Sequence, residues 1–164
     1  MKQYNVAILG ATGAVGREMY KVLMERKFPI GQLKLLASAR SAGKVLDGHI
    51  VEEATENSFR GMDIVLGAAS NDLAKQMAPY IKAAGAVFVD NSSAFRLLDD
   101  VPLVVPEINP EDAKKHNGII ANPNCSTIIS LVAIHALKDL SPIEAITAST
   151  YQAVSGAGAG GLAE

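Results

Sequence analysis

The sequence predicts an α/β fold, a doubly wound and mostly parallel sheet with helices on both faces, from three observations. Apolar, β-branched runs of strand length alternate with amphipathic stretches of helix length. A glycine-rich turn joins the first strand-like run to the first helix-like one. The length, 164 residues, is about that of one average domain. With 49% hydrophobic and 20% charged residues the composition is that of a globular protein and excludes intrinsic disorder.

In chain order, Val6-Ala7-Ile8-Leu9 reads as the first strand, followed by the glycine turn and a helix over about 15–27 that Phe28-Pro29 ends. Leu33-Lys34-Leu35-Leu36-Ala37 reads as the second strand. Asp63 to Gly67 and Ala86 to Asp90 read as two more buried strands, with a helix over 72–84 between them and Gly85 as its stop. Leu103-Val104-Val105-Pro106 and Gly118-Ile119-Ile120-Ala121 are short strand candidates. The segment 127–138 reads as a helix whose apolar content predicts burial. Ile143 to Ala153 alternates like a strand with one polar face, and a glycine/alanine-rich segment follows it. A last strand with no helix to cover it reads as part of a longer protein.

The 15 basic and 17 acidic residues are interspersed, for a net charge of -2, so charge argues for neither a nucleic-acid nor a membrane-surface partner. No apolar stretch reaches the roughly 18–20 residues of a bilayer crossing, and the N-terminus lacks a signal peptide's apolar core. A cytoplasmic protein is expected. The single cysteine, Cys125, excludes an internal disulfide and a cysteine-based zinc site, and no metal is expected. It is either a small buried residue or a reactive thiol.

Gly10-Ala11-Thr12-Gly13-Ala14-Val15-Gly16 lies between strand and helix, where helix N-terminal amides receive a pyrophosphate and bare backbone permits close approach. The alternative is a tight turn with no ligand. About 20 residues on, where an NAD binder carries a carboxylate for the ribose hydroxyl, the sequence has Ser38, Arg40 and Ser41. A guanidinium with two hydroxyls suits the 2′-phosphate of NADP, which a carboxylate would repel; the alternative is a solvated loop arginine. Asn124 is placed to cap the apolar helix, which puts Cys125 in its first turn, facing the positive end of the helix dipole. That placement favours the thiolate, the species that attacks a carbonyl.

Four motifs in order complete the pattern: the glycine turn, Asn91-Ser92-Ser93-Ala94-Phe95-Arg96, Asn122-Pro123-Asn124-Cys125-Ser126-Thr127, and Tyr151-Gln152-Ala153-Val154-Ser155-Gly156-Ala157-Gly158. Together they resemble the aspartate-semialdehyde dehydrogenase family over the whole chain. The resemblance implies a Rossmann domain over 1–140, the start of a substrate and dimerisation domain at 141–164, and reductive dephosphorylation of aspartyl 4-phosphate by NADPH. It assigns Cys125 as the acyl-thioester nucleophile, Gln152 as the residue that orients substrate, and Arg96, Asn91 and Asn124 as substrate and phosphate contacts. It places Gly10, Thr12, Gly13, Ala14, Val15, Gly16, Ser38, Arg40, Ser41, Ser155 and Gly156 around NADP. The family is about twice this long, forms homodimers, and carries its catalytic histidine in the other half. None of His49, His116 or His135 matches that histidine; His135 lies ten residues along the helix from Cys125, about 15 Å at 1.5 Å per residue. Two alternatives remain open on the sequence: a dinucleotide-binding module without turnover, and an enzyme resembling N-acetyl-glutamyl-phosphate reductase.

Overall fold

The computed structural model describes residues 2–151. Seven strands form one sheet in the order β3-β4-β2-β1-β5-β6-β7: β1 Tyr4–Leu9, β2 Ile30–Ala37, β3 Val45–Leu46, β4 His49–Glu53, β5 Ile64–Gly67, β6 Val87–Asp90 and β7 Ile119–Ala121. All pairings are parallel except β3 with β4. Among the described residues three α-helices accompany the sheet: α1 Ala14–Glu25, α2 Asn71–Ala83 and α3 Cys125–His135.

Alternation along β1 sends Ile8 to one face and Ala7 and Leu9 to the other, and each face meets a different helix. On the first, Ile8, Leu35, Ala37 and Val51 pack with Tyr20 of α1. On the second, Leu9, Val65, Phe88 and Ile119 pack with Ala74, Met77, Ala78 and Ile81 of α2, the i, i+3, i+4, i+7 stripe of a helix lying on a sheet. Each large side chain fully buried there contributes about 1.5–3 kcal/mol. Gly85 ends α2 at φ +78°, the left-handed position a helix stop requires.

Three expectations are corrected. The segment from Leu103 to Pro106 is not a strand: it makes one parallel bridge, Leu103 to Ala121, along the outer edge of β7. Pro102 and Pro106, which have no N–H to donate, bracket it and stop the ladder. The α3 helix forms where expected, but no residue in it is buried. Its apolar residues surround the axis, and none of them joins either core cluster of the sheet. Residues 143–151 form no strand; they are exposed and no described strand pairs with them. The sequence reading also missed the β3–β4 hairpin. Its two-residue turn is Asp47-Gly48, with φ +47° and +82°, the conformation that Asp-Gly favours between strands.

Candidate active site

In an open parallel sheet, ligands bind beyond the carboxyl ends of the strands, where the strand order reverses. Here the chain leaves β1 for β2 on one side and returns to β5 on the other. The expected site segments follow these strand ends directly: Gly10 after β1, Ser38 after β2, Asn91 after β6 and Asn122 after β7. The parallel topology therefore gathers at one sheet edge what the sequence spreads over more than a hundred residues.

The glycine turn is built into the sheet. The N–H groups of Gly10 and Ala11 both donate to the Leu36 carbonyl, at 2.8 and 3.0 Å, and that of Gly13 donates to Gly10 at 3.1 Å. Gly10 has φ +88°, and a Cβ there would lie 2.3 Å from the Ala68 carbonyl oxygen; a Cβ on Gly16 would lie 2.3 Å from that of Gly10. Those two glycines are demanded by the fold. Gly13 is different: its φ is -74°, and a Cβ would meet nothing nearer than 3.4 Å. Gly13, Ala14 and Val15 are exposed. Ser70 and Asn124 cap α2 and α3 with their side chains, whereas α1 starts at Gly13 with no side-chain cap and no acid in its first turn. An exposed, uncapped N-terminus behind a bare turn fits a pyrophosphate. At the end of β2, Ser38 and Arg40 are exposed and Ser41 is half-buried, in a single 3-10 turn over Ala39–Ser41.

The second half of the site is a hydrogen-bonded cluster. Arg96 donates from Nε to the Asn122 carbonyl at 2.9 Å and from Nη2 to the Asn91 carbonyl at 3.0 Å. Asn122 Nδ2 donates to Asn91 Oδ1 at 2.6 Å, which ties the loop after β6 to the loop after β7. Two neutral carbonyls hold the guanidinium, and its remaining N–H groups make no hydrogen bond to the described residues, so it can still fork onto an anion. Three residues beyond Asn122, Cys125 opens α3 and is exposed. Asn124 caps that helix, its Oδ1 accepting from the Thr127 N–H at 3.3 Å.

Beneath the cluster Asp90 is fully buried, and burial raises its carboxyl above the usual carboxylate range, opposed by hydrogen bonds from Ser92 and by the Arg96 charge. Ser92 Oγ donates to Asp90 Oδ2 at 2.5 Å, while Oδ1 has no hydrogen-bond partner among the described residues.

The family of the chain follows from comparison with known proteins. A family model described as semialdehyde dehydrogenase, NAD binding domain, matches residues 5–116. The chain belongs to this family. It is 55% identical to an aspartate-semialdehyde dehydrogenase of Synechocystis, over 97% of the chain and 48% of that relative. Its fold superposes on a crystal structure of aspartate semialdehyde dehydrogenase II complexed with ASA from Vibrio cholerae with a TM-score of 0.92 at 48% identity, covering 99% of this chain and 50% of that one. A structure of aspartate semialdehyde dehydrogenase with NADP from Candida albicans matches at TM-score 0.69 and 26% identity, over 85% of this chain and 48% of that one. The chain spans about half the length of the curated relatives it matches.

Within the semialdehyde dehydrogenase family the NAD-binding domain is the doubly wound half, and the sheet described above is that domain. The structure brings Asn91, Arg96, Asn124 and Cys125 onto its carboxyl edge together with Gly10, Thr12, Gly13, Ala14, Val15, Gly16, Ser38, Arg40 and Ser41. Gln152, Ser155 and Gly156 lie outside the described residues. The three histidines have local contacts. His49 meets the Tyr20 ring edge-on at 5.8 Å, His116 Nδ1 accepts from the Gly118 N–H at 3.0 Å, and His135 Nε2 is 3.0 Å from Lys138 Nζ. Sequence reasoning singled out neither Asp90, read only as the end of a strand, nor Asn122, read only as part of a motif. An acid closing an otherwise apolar strand was the available signal for the first. No described helix is long and apolar enough to cross a membrane.

Proposed function

We propose that this chain is the cofactor- and cysteine-bearing half of an NADP-dependent aspartate-semialdehyde dehydrogenase, which converts aspartyl 4-phosphate to aspartate 4-semialdehyde in the route to lysine, threonine and methionine. The observation that carries the reading is the shared edge: an open glycine turn, an arginine whose hydrogen bonds among the described residues go to two carbonyls, and a cysteine at a capped helix start. In this reading Cys125 Sγ attacks the acyl carbon and the bond from carbon to the phosphate oxygen breaks. Inorganic phosphate leaves into the donors of Arg96, with Asn91 and Asn124 beside it, and the acyl group remains on Cys125 as a thioester. NADPH, when bound along the glycine turn, would supply the hydride to the acyl carbon; the carbon–sulfur bond then breaks, which releases the aldehyde and returns Cys125 as its thiolate. Gln152 orients the substrate, and Ser155 and Gly156 complete the cofactor site. The homodimer and the general-base histidine belong to the other half of the native protein.

NADP rather than NAD is supported by Arg40, exposed at the end of β2 between two serines. Arg40→Ala is expected to raise the KM for NADP+ about 10- to 100-fold, the worth of one charge-assisted phosphate contact, with the weaker use of NAD+ unchanged. Equal losses with both cofactors would remove Arg40 from the 2′-phosphate.

The reaction is tested by phosphate-dependent NADPH formation in the native protein. Turnover is expected with aspartate semialdehyde and far less with N-acetylglutamate semialdehyde. The reverse preference would move the substrate, and NADP+ binding without either reaction would make the protein a binding module.

A further inference from the structure

Asp90 costs the fold a buried carboxylate with one oxygen unpartnered among the described residues, and neighbouring positions make room for it. Its cross-strand partners are Gly67 on β5 and Ala121 on β7, both small and buried. A Cβ on Gly67 would lie 2.8 Å from Asp90 Oδ1 and 2.7 Å from the Phe88 ring. The carboxylate is thus seated deliberately, and what it holds is the loop after β6. Ser92 Oγ donates to Asp90 Oδ2 at 2.5 Å and accepts from the Ala94 N–H at 3.1 Å. Asn122 N–H donates to the Asp90 carbonyl at 2.8 Å, which joins the loop after β7 to the same residue. At the far end of the loop Phe95 stands edge-on to Phe88, at 6.1 Å between ring centres. Arg96 is the next residue, so one polar and one apolar anchor bracket the segment that delivers it.

We propose that Asp90, acting through Ser92, is a positioning residue for the anion site: it fixes the loop that presents Asn91 and Arg96, and thereby the geometry of the departing phosphate. This rests on reading Arg96 and Asn91 as the phosphate contacts. A buried acid serves this better than an apolar residue because only an acceptor can fix the Ser92 hydroxyl, and so the loop backbone at Ala94.

The test uses the native protein in the phosphate-dependent direction, with the KM values for inorganic phosphate and NADP+ read separately. Ser92→Ala, at a half-buried position that leaves the core intact, is expected to raise the phosphate KM about tenfold, the equivalent of one net hydrogen bond of about 1.4 kcal/mol. The KM for NADP+ should stay within twofold, and Ser92→Thr, which keeps a hydroxyl, should recover most of the loss. Asp90→Ala, which removes the acceptor altogether, should raise the phosphate KM at least as far. Arg96→Lys separates the two ways of failing. If it raises the phosphate KM while Ser92→Ala and Asp90→Ala do not, the positioning role is overturned alone. If Arg96→Lys leaves the phosphate KM unchanged, the phosphate assignment falls and the positioning role with it. A rise in both KM values together in Ser92→Ala would mark a general loosening of the sheet edge and also overturn the proposal.

Discussion

Replacing Cys125 by serine is expected to lower turnover of the native protein by on the order of 10⁴-fold or more while the fold and NADP+ binding persist. Oxygen is smaller than sulfur and fits the same space, but serine's hydroxyl is not ionised at neutral pH and is the weaker nucleophile. Cys125 is an exposed first-turn residue of α3, so the substitution should change stability by no more than about 0.5 kcal/mol. Single-turnover assay, cofactor titration and thermal melting measure the three quantities. Turnover within tenfold of the unsubstituted protein would show that another group carries the acyl transfer.

The second large effect divides the glycines of the turn by what each one serves. Gly10→Ala is expected to cost about 3–5 kcal/mol, because it combines a left-handed backbone with a Cβ 2.3 Å from the carbonyl oxygen of Ala68, a residue whose N–H donates to the Leu9 carbonyl of β1. Against a total stability of about 5–15 kcal/mol this is enough to leave much of the protein unfolded. Gly13→Ala should instead melt within about 1 kcal/mol of the parent, since its φ is ordinary and its Cβ has room. Its loss should appear as weaker binding of NADP+, because in the proposed binding mode the added methyl stands where bare backbone would face the pyrophosphate. Denaturant melts and cofactor titrations of the two variants decide it, and a Gly13→Ala protein that binds NADP+ normally would show that the turn is not the pyrophosphate seat.

How much of this was legible in the sequence follows from the physics of each element. The buried strands and the two helices that cover them announce themselves by period, because their side chains must alternate between core faces or form a stripe. The glycine turn was legible for the same local reason. The hairpin of β3 and β4 was missed because β3 is two residues long and β4 is largely exposed, although Asp47-Gly48 marks its turn. Burial of α3 was misjudged because apolar content says that a helix needs covering and not which element covers it. The strand expected from Ile143 failed likewise: alternation prepares an edge, and pairing needs a neighbour. Near the sheet edge, the position of Cys125 behind the Asn124 cap was legible from capping chemistry and Arg96 was singled out only by the family resemblance, whereas the seat of Asp90 depends on Gly67 and Ala121, which only the strand register brings beside it.

The central claim is that Cys125, at the edge where the cofactor turn and Arg96 meet, carries the acyl group. The most direct measurement is to mix the native protein with aspartyl 4-phosphate in the absence of NADPH, quench in acid, digest, and locate the acylated peptide by mass spectrometry. The account predicts one labile, hydroxylamine-sensitive acyl adduct on the peptide carrying Cys125, formed with release of inorganic phosphate. An adduct on any other residue, or phosphate-dependent turnover with Cys125 never acylated, would contradict it.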